Sequence, residues 1–327
     1  MKKKSLLLTA VATLGLTAAT MAQNVPSYVP TNGLVGWWPF NGNANDESGN
    51  GNNGAVNGSS LTIDRFGNQN KAYNFNGSSN YIDVGTLPTL GNNPSALTQN
   101  AWVLAATDQS NYCKMPLISK RHSGNNSWAT LGAGGNGTIG VPWNNQAYFF
   151  VNGPNYSAGI TNALYSNNVT NDGQWHMLTG TKNGSTYKLY FDGILQDSII
   201  DNYSVGSNDN MIFGHESIWG FSCEQWYAGK LDDIGIWSRA LTQQEVTTLY
   251  NGCQLSINSQ PTNQTININS NAQFTVGSSD PSATYQWQTD LGVGFQNLNS
   301  VGQYSGTTTN TLTVSNVTMS NNNQPFR

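Results

Sequence analysis

Along the chain, apolar and polar residues alternate in short bursts separated by clusters of Gly and Asn. Tyr73-Asn74-Phe75, Tyr81-Ile82-Asp83-Val84, Ala147-Tyr148-Phe149-Phe150-Val151 and Thr186-Tyr187-Lys188-Leu189-Tyr190-Phe191 are examples. In the last, Tyr187, Leu189 and Phe191 fall on one face, with Lys188, Tyr190 and Asp192 on the other. That is the period of half-buried antiparallel strands. Asn76-Gly77, Asn183-Gly184 and Asp192-Gly193 stand between such runs, where residues tolerant of positive φ close hairpins. Many short strands at this spacing predict a two-sheet sandwich. One helix is predicted. Thr242-Gln243-Gln244-Glu245 is a capping box, Val246, Leu249 and Tyr250 follow at helical spacing, and Asn251-Gly252 supplies the stop. A short helix after the last strand predicts a lid on the sandwich, closing a first domain near Cys253.

Composition places this sandwich outside the cell. The chain has 327 residues, enough for two domains, of which only 9% are charged, with a net charge of -4. It carries 35 Gly, and Asn supplies roughly one residue in seven. Low charge, many turn formers and plentiful Trp and Tyr favour an all-β extracellular protein. Without basic runs there is no footprint for nucleic acid or an anionic membrane. Lys2-Lys3-Lys4, the apolar stretch Leu6 to Ala19 and the small-residue ending Thr20-Met21-Ala22 predict a signal peptide over residues 1–22. The apolar stretch is shorter than the ~20 residues of a spanning helix, so a retained anchor is the lesser reading, and no later segment could span. The mature protein is thus expected to be secreted or at the cell surface.

Export permits disulfides, and there are three cysteines, Cys113, Cys223 and Cys253. Cys113 precedes the predicted strand Met115 to Ser119, and Cys223 precedes the strand through Leu231. If those two loops meet, a Cys113–Cys223 disulfide would close a loop of about 110 residues and leave Cys253 over. Three cysteines allow three pairings, and all stay open.

Beyond Cys253 the character changes. Pro261-Thr262-Asn263-Gln264 opens a Ser/Thr/Asn-rich stretch with strands predicted at Ala272 to Val276, Thr284 to Gln288 and Thr311 to Val314. Trp287 has the setting of the buried strand Trp of an immunoglobulin-like sandwich, yet roughly seventy residues fall short of the ~100 that such a domain needs. Residues 255–327 therefore read as an incomplete immunoglobulin-like domain, cut at Arg327.

Three stretches match one pattern. Gly33-Leu34-Val35-Gly36-Trp37-Trp38-Pro39-Phe40 with Asn41 to Gly54 resembles the opening of bacterial laminin G-like (LamG-like) jellyroll domains. Asp172-Gly173-Gln174-Trp175-His176 with Leu189-Tyr190-Phe191-Asp192-Gly193 resembles their central hairpin. Gly229 to Trp237 with Arg239-Ala240-Leu241-Thr242 resembles their closing strand and helix. The resemblance covers about residues 31 to 252 and implies a concanavalin A-like, antiparallel two-sheet jellyroll. Such domains serve in binding and adhesion more often than in catalysis, so fold alone does not settle function.

The resemblance also bears on an odd juxtaposition, a dense aromatic run abutting an Asn/Gly tract that holds Asp46-Glu47. It implies that this loop and the Leu231-Asp232-Asp233-Ile234 strand meet around a structural calcium ion. Hard cations want six to eight oxygens, and a flexible Asn/Gly backbone can aim several carbonyls at one point. Asp46 and Asp233 are the first candidate ligands. Asn41 and Asn43 lie in the stretch that would add carbonyls, and Asp232 ranks lower because strand alternation turns it the other way. The competing reading has Asn and Gly merely making turns while Asp46 caps backbone amides.

Catalytic patterns are missing from the sequence. There is no E-x-D-x-x-E run of paired carboxylates, and Glu216, Glu224 and Glu245 stand alone. His122, His176 and His215 show no zinc spacing, and GxSxG is absent. His176 reads as a structural residue. Among ten tryptophans, Trp37, Trp175 and Trp237 read as core. Trp143, Trp219 and Trp226 lie in loop-like contexts and are candidates to stack on sugar rings, against the reading that they anchor packed loops. The function expected is a non-enzymatic binding or adhesion module for a glycan or extracellular glycoprotein. The alternatives are an accessory module of a polysaccharide-degrading enzyme and a structural spacer.

Overall fold

The computed structural model describes residues 25–91, 94–108, 115–120, 129–135, 145–151, 163–202, 209–216, 225–252, 257–278 and 283–327. The predicted signal peptide and all three cysteines lie outside the described residues. Among the described residues, no helix is long and apolar enough to cross a membrane.

The alternating runs build two antiparallel sheets. The first runs from Ile194–Ile200 through Thr186–Phe191, His176–Asn183, Ala96–Ala105 and Ala228–Trp237 to Ala72–Asn76 and Ser60–Thr62, with Leu34–Trp38 also paired to Ala228–Trp237. The second runs Ala163–Val169, Gln146–Val151, Ala129–Ala133, Pro116–Lys120, Met211–Phe213, Tyr81–Asp83, Ala55–Asn57. Between the sheets lies a core that includes Trp38, Phe75, Ile82, Phe149, Leu178 and Phe213. This is the two-sheet jellyroll architecture read from the sequence.

Alternation sorts one strand into two cores. Tyr187, Leu189 and Phe191 enter the core between the sheets. Tyr190 faces the other way, into a second cluster with Trp37, Trp102, Met177 and Trp237 beneath the helix residues Val246 and Leu249. The helix Gln243–Gly252 thus covers the outer face of the first sheet, as a lid. Its capping box closes in both directions. Glu245 N–H donates to Thr242 Oγ1 at 3.2 Å, and Thr242 N–H donates to Glu245 Oε2 at 2.8 Å. On the two strands between these cores, Trp38 lies over Gly36 and Trp237 over Gly235. A Cβ on either glycine would come within 2.4 Å of the indole, so glycine is what lets the rings lie flat.

The turns divide in their behaviour. Asp192-Gly193, at φ 50° and 77°, joins Phe191 to Ile194 as a two-residue hairpin loop. Asn183 pairs with Thr186 across Gly184, closing another hairpin. Asn76-Gly77 does not close one, because Ala72–Asn76 and Tyr81–Asp83 lie in different sheets. There Asn76 Oδ1 accepts the amides of Ser78, Ser79 and Asn80 and carries the chain across the sandwich.

Residues 257–327 form small sheets around a cluster of Ala272, Trp287, Leu298, Leu312, Val314 and Val317. Strands occupy Ala272–Thr275 and Thr311–Val314, close to expectation. The strand predicted at 284–288 instead spans Gln288–Asp290. Trp287, buried to 3%, stands just before it. Its indole donates to Thr309 O and its amide to Thr307 O, while its carbonyl accepts the Leu298 amide and so extends the ladder that begins at Gln288.

The two halves of the central hairpin motif meet at His176. Its Nδ1 lies 2.8 Å from Asp192 Oδ2, and its Nε2 lies 3.1 Å from Asp172 Oδ1. Asp192 Oδ1 also accepts the Met177 amide. Burial opposes the imidazolium, but the two carboxylates outweigh it and raise the His176 pKa above its ordinary 6.5. Burial likewise opposes the Asp172 carboxylate, while the Gln174 amide and His176 bring its pKa below 3.8. The His176 contribution to stability is therefore full below pH 6.5 and is lost as pH rises through the higher folded value. The Asp172 contribution is present above pH 3.8 and is lost as pH falls through its lower folded value. His176→Gln should destabilise by about 1 kcal/mol near pH 5, and the deficit should shrink by pH 9. Urea denaturation of both proteins across that range measures it. An equal deficit at both ends would show that charge plays no part.

Candidate ligand-binding site

The loop after the first strand is tied to that strand by side chains. Asp46 Oδ1 accepts the amides of Trp37 at 3.0 Å and Ser48 at 2.9 Å, and its Oδ2 accepts that of Asn52 at 2.9 Å. Asn50 Nδ2 donates to the carbonyls of Leu34 and Val35, and Asn52 Nδ2 to that of Val35. Trp38 Nε1 donates to Asn52 O. The Asn-rich tract thus satisfies a buried strand where, among the described residues, no further strand pairs with it. Of the two readings of Asp46, this geometry is amide capping.

The other proposed metal ligands also have partners. Asn41 Oδ1 accepts from the Lys71 ammonium, and Asn43 Oδ1 from the Asn45 amide. Arg65 reaches Asp232 Oδ2 at 2.5 Å with one terminal nitrogen and Asp233 Oδ2 at 2.6 Å with the other. Simple alternation predicts opposite faces for these two carboxylates. The strand departs from it by a register shift between Asp232 and Gly235, with Asp233 at φ 43°, so both reach one guanidinium. Burial, Asp233 and Asp64 push the Asp232 carboxyl well above the usual range, and Arg65 opposes that shift. Among the described residues, no group of three or more acidic, His or Cys side chains is placed to hold a metal ion. This donor set does not fit calcium, which takes six to eight oxygens.

A different cluster has the form of a binding surface. Tyr81 and Asp83, two residues apart, share the outer face of their strand, opposite the core residue Ile82. A short hairpin of His215–Glu216 and Gln225–Trp226 folds over that side of the second sheet. Ser119 Oγ holds it by donating to His215 O at 2.7 Å, and Thr130 Oγ1 by donating to Glu216 Oε1 at 2.9 Å. The His215 and Trp226 rings stack at 3.7 Å and 16°. Tyr81 stands 6.2 Å from His215 and 6.3 Å from Trp226. All three rings are half-buried. Asp83 Oδ2 accepts from Asn210 Nδ2 at 2.9 Å, setting a carboxylate and an amide on the same face. The arrangement offers aromatic faces bordered by hydrogen-bonding groups.

Of the three tryptophans proposed for ligand contact, Trp226 stands in this cluster. Trp143 and Trp219 lie outside the described residues. Sequence reasoning passed over His215 and Tyr81. The alternation of Tyr81-Ile82-Asp83 was legible, and it puts an aromatic and a carboxylate together on the solvent side of a strand, which is the signal available. Nothing local marked His215, which reaches the site through the hairpin.

A family model of the concanavalin A-like lectin/glucanases superfamily matches residues 76–247. No curated protein matches the chain. Among solved structures, the binding domain of Paraclostridial Mosquitocidal Protein 1 is similar at 16% identity and a TM-score of 0.52, covering 75% of this chain and 58% of that one. Domain 4 of AbnA, a GH43 extracellular arabinanase from Geobacillus stearothermophilus solved with arabinotriose, is similar at 17% identity and a TM-score of 0.50. That match covers 66% of this chain and 98% of the domain. The binding domain of botulinum neurotoxin DC in complex with SialylT aligns at 14% identity and a TM-score of 0.51, over 83% of this chain and 63% of that one. The chain thus spans less than two thirds of both toxin binding domains, and at these identities the likeness is one of fold.

Asp46→Ala would strip three amides of a charged acceptor in a buried setting. It should destabilise the protein by about 3 kcal/mol, read as a lower urea midpoint with an unchanged m-value. A midpoint within error of the parent protein would refute the capping role.

Proposed function

Because the chain belongs to the concanavalin A-like lectin/glucanases superfamily, we propose that its sandwich is a non-catalytic module that recognises carbohydrate, free or carried on a glycoprotein. The observation that carries this reading is the half-buried trio Tyr81, His215 and Trp226 beside Asp83 and Asn210. Sugar rings present C–H faces that stack on aromatic rings, while their hydroxyls need acceptors and donors at the border. A carboxylate at the border accepts hydroxyl protons and repels acidic sugars, which favours neutral glycans. The fold is shared with a domain solved with arabinotriose and with one solved in complex with SialylT. The absence of paired-carboxylate and nucleophile motifs from the sequence supports binding without catalysis. In this reading the module acts outside the cell, consistent with the leader-like first residues.

One observation favours a second reading, an accessory module of a polysaccharide-degrading enzyme. The arabinanase domain is matched over 98% of its own length, so an enzyme-associated domain of similar extent takes this fold.

Binding of the full chain to a panel of neutral and sialylated oligosaccharides, arabino-oligosaccharides included, tests the proposal. Neutral members should bind, and Trp226→Ala should weaken them about tenfold, the equivalent of ~1.4 kcal/mol, with the melting midpoint little changed. No binding across the panel, or equal binding by Trp226→Ala, would rule the platform out.

A further inference from the structure

The Ala228–Trp237 strand changes neighbour midway. Residues Ala228 to Leu231 pair with Asn76 to Tyr73, whereas Ile234 to Trp237 pair with Trp38 to Leu34. Asp232 and Asp233 occupy the junction, and the bulge there brings both carboxylates to one side. Arg65 enters from the loop between Ser60–Thr62 and Ala72–Asn76. That loop is itself closed by Asp64, whose Oδ1 accepts the amides of Phe66 and Asn68 and whose Oδ2 accepts from Asn68 Nδ2. The guanidinium is therefore delivered by a rigid turn.

We propose that Arg65 is the resident cation of this junction, doing there what a divalent ion would otherwise do, so that the module folds and stays folded independently of metal. Three features of the site fit a guanidinium and not a calcium ion. The fork presents one terminal nitrogen to each carboxylate, at 2.5 and 2.6 Å, a two-pronged geometry peculiar to arginine. The surroundings are aromatic: Phe66 lies 4.4 Å and Trp102 4.7 Å from the guanidinium carbon, measured to ring centres. Such faces stabilise a flat organic cation and offer calcium no oxygen. The other carboxylate assigned to the ion, Asp46, already accepts three backbone amides, which leaves it little lone-pair capacity to offer a shell.

The pair is enclosed, with side-chain exposures of 7% for Arg65, 4% for Asp232 and 10% for Asp233. In such a setting removing one partner is costly, because a buried charge is left without its counterpart, whereas removing all partners together is tolerated. This asymmetry makes the proposal testable on the full chain. The parent protein should melt at the same temperature in EDTA and in millimolar calcium. Arg65→Met should lower the midpoint by on the order of 10 °C, and the triple variant Arg65→Met/Asp232→Asn/Asp233→Asn should recover at least half of that loss. Should Arg65→Met fail to fold, Arg65→Lys provides the reading, since it keeps the charge but not the fork and should fall between parent and Met variant. A calcium-dependent rise in the parent midpoint that Asp233→Asn abolishes would overturn the proposal. So would an Arg65→Met protein that melts like the parent.

Discussion

The Ala228–Trp237 strand has to serve two neighbours along one edge, and the sandwich depends on how it does so. A continuous ladder on that side is impossible, because Leu34–Trp38 and Ala72–Asn76 arrive from different parts of the chain and meet it end to end. The break between them would leave polar backbone in a dry interior, where unpaired groups are costly. The bulge at Asp232 and Asp233 absorbs the break, and Arg65 gathers the two side chains that the bulge exposes. On the opposite edge the same strand pairs with Ala96–Ala105 on both sides of the bulge, and the register slips by one residue across it. Sheet order, the second core under the helix and the placement of the first strand all follow from this arrangement.

The same economy explains why an aromatic strand adjoins an Asn/Gly tract. Leu34–Trp38 is buried on both faces, packed between the main core and the helix side. A strand so enclosed still needs partners for the amides and carbonyls that the Ala228–Trp237 strand does not reach. Asp46, Asn50 and Asn52 supply them from the side, at 2.8 to 3.0 Å. Short side chains ending in carboxylate or amide imitate a peptide group, and Gly42, Gly49 and Gly51, all at positive φ, let the loop turn so that these side chains face the strand.

Much of the fold could be read from the chain because its signals are local. The alternation of Thr186 to Phe191 required only a two-residue period, and the helix start required only Thr242 and Glu245. The turn Asn183-Gly184 and the turn Asp192-Gly193 needed only backbone freedom. What was not legible depends on residues far apart in sequence. Asn76-Gly77 has the chemistry of a hairpin, yet which sheet receives the next strand is decided by packing. Alternation failed at Asp232 and Asp233 because the bulge arises in pairing with another strand, Ala96–Ala105, about 130 residues earlier in the chain. Arg65 carried no mark of its partners, which lie 167 and 168 residues away. The platform of Tyr81, His215 and Trp226 is likewise an assembly across segments, in which only Trp226 stood out by type and context.

The hairpin that carries His215 and Trp226 grows out of core segments: Phe213 and Tyr227, which flank it, belong to the core between the sheets, Tyr227 N–H donates to Gly214 O and Gly214 N–H to Leu117 O. Hydroxyls of Ser119 and Thr130 fasten it further to the second sheet. The half-buried rings thus project from a footing anchored in the core, and in the proposed role substitutions at the rings would alter what is recognised while the load of folding stays with the sheets behind them. A lineage carrying this scaffold is free to change specificity by editing a few surface positions, without first acquiring spare stability to spend on the change.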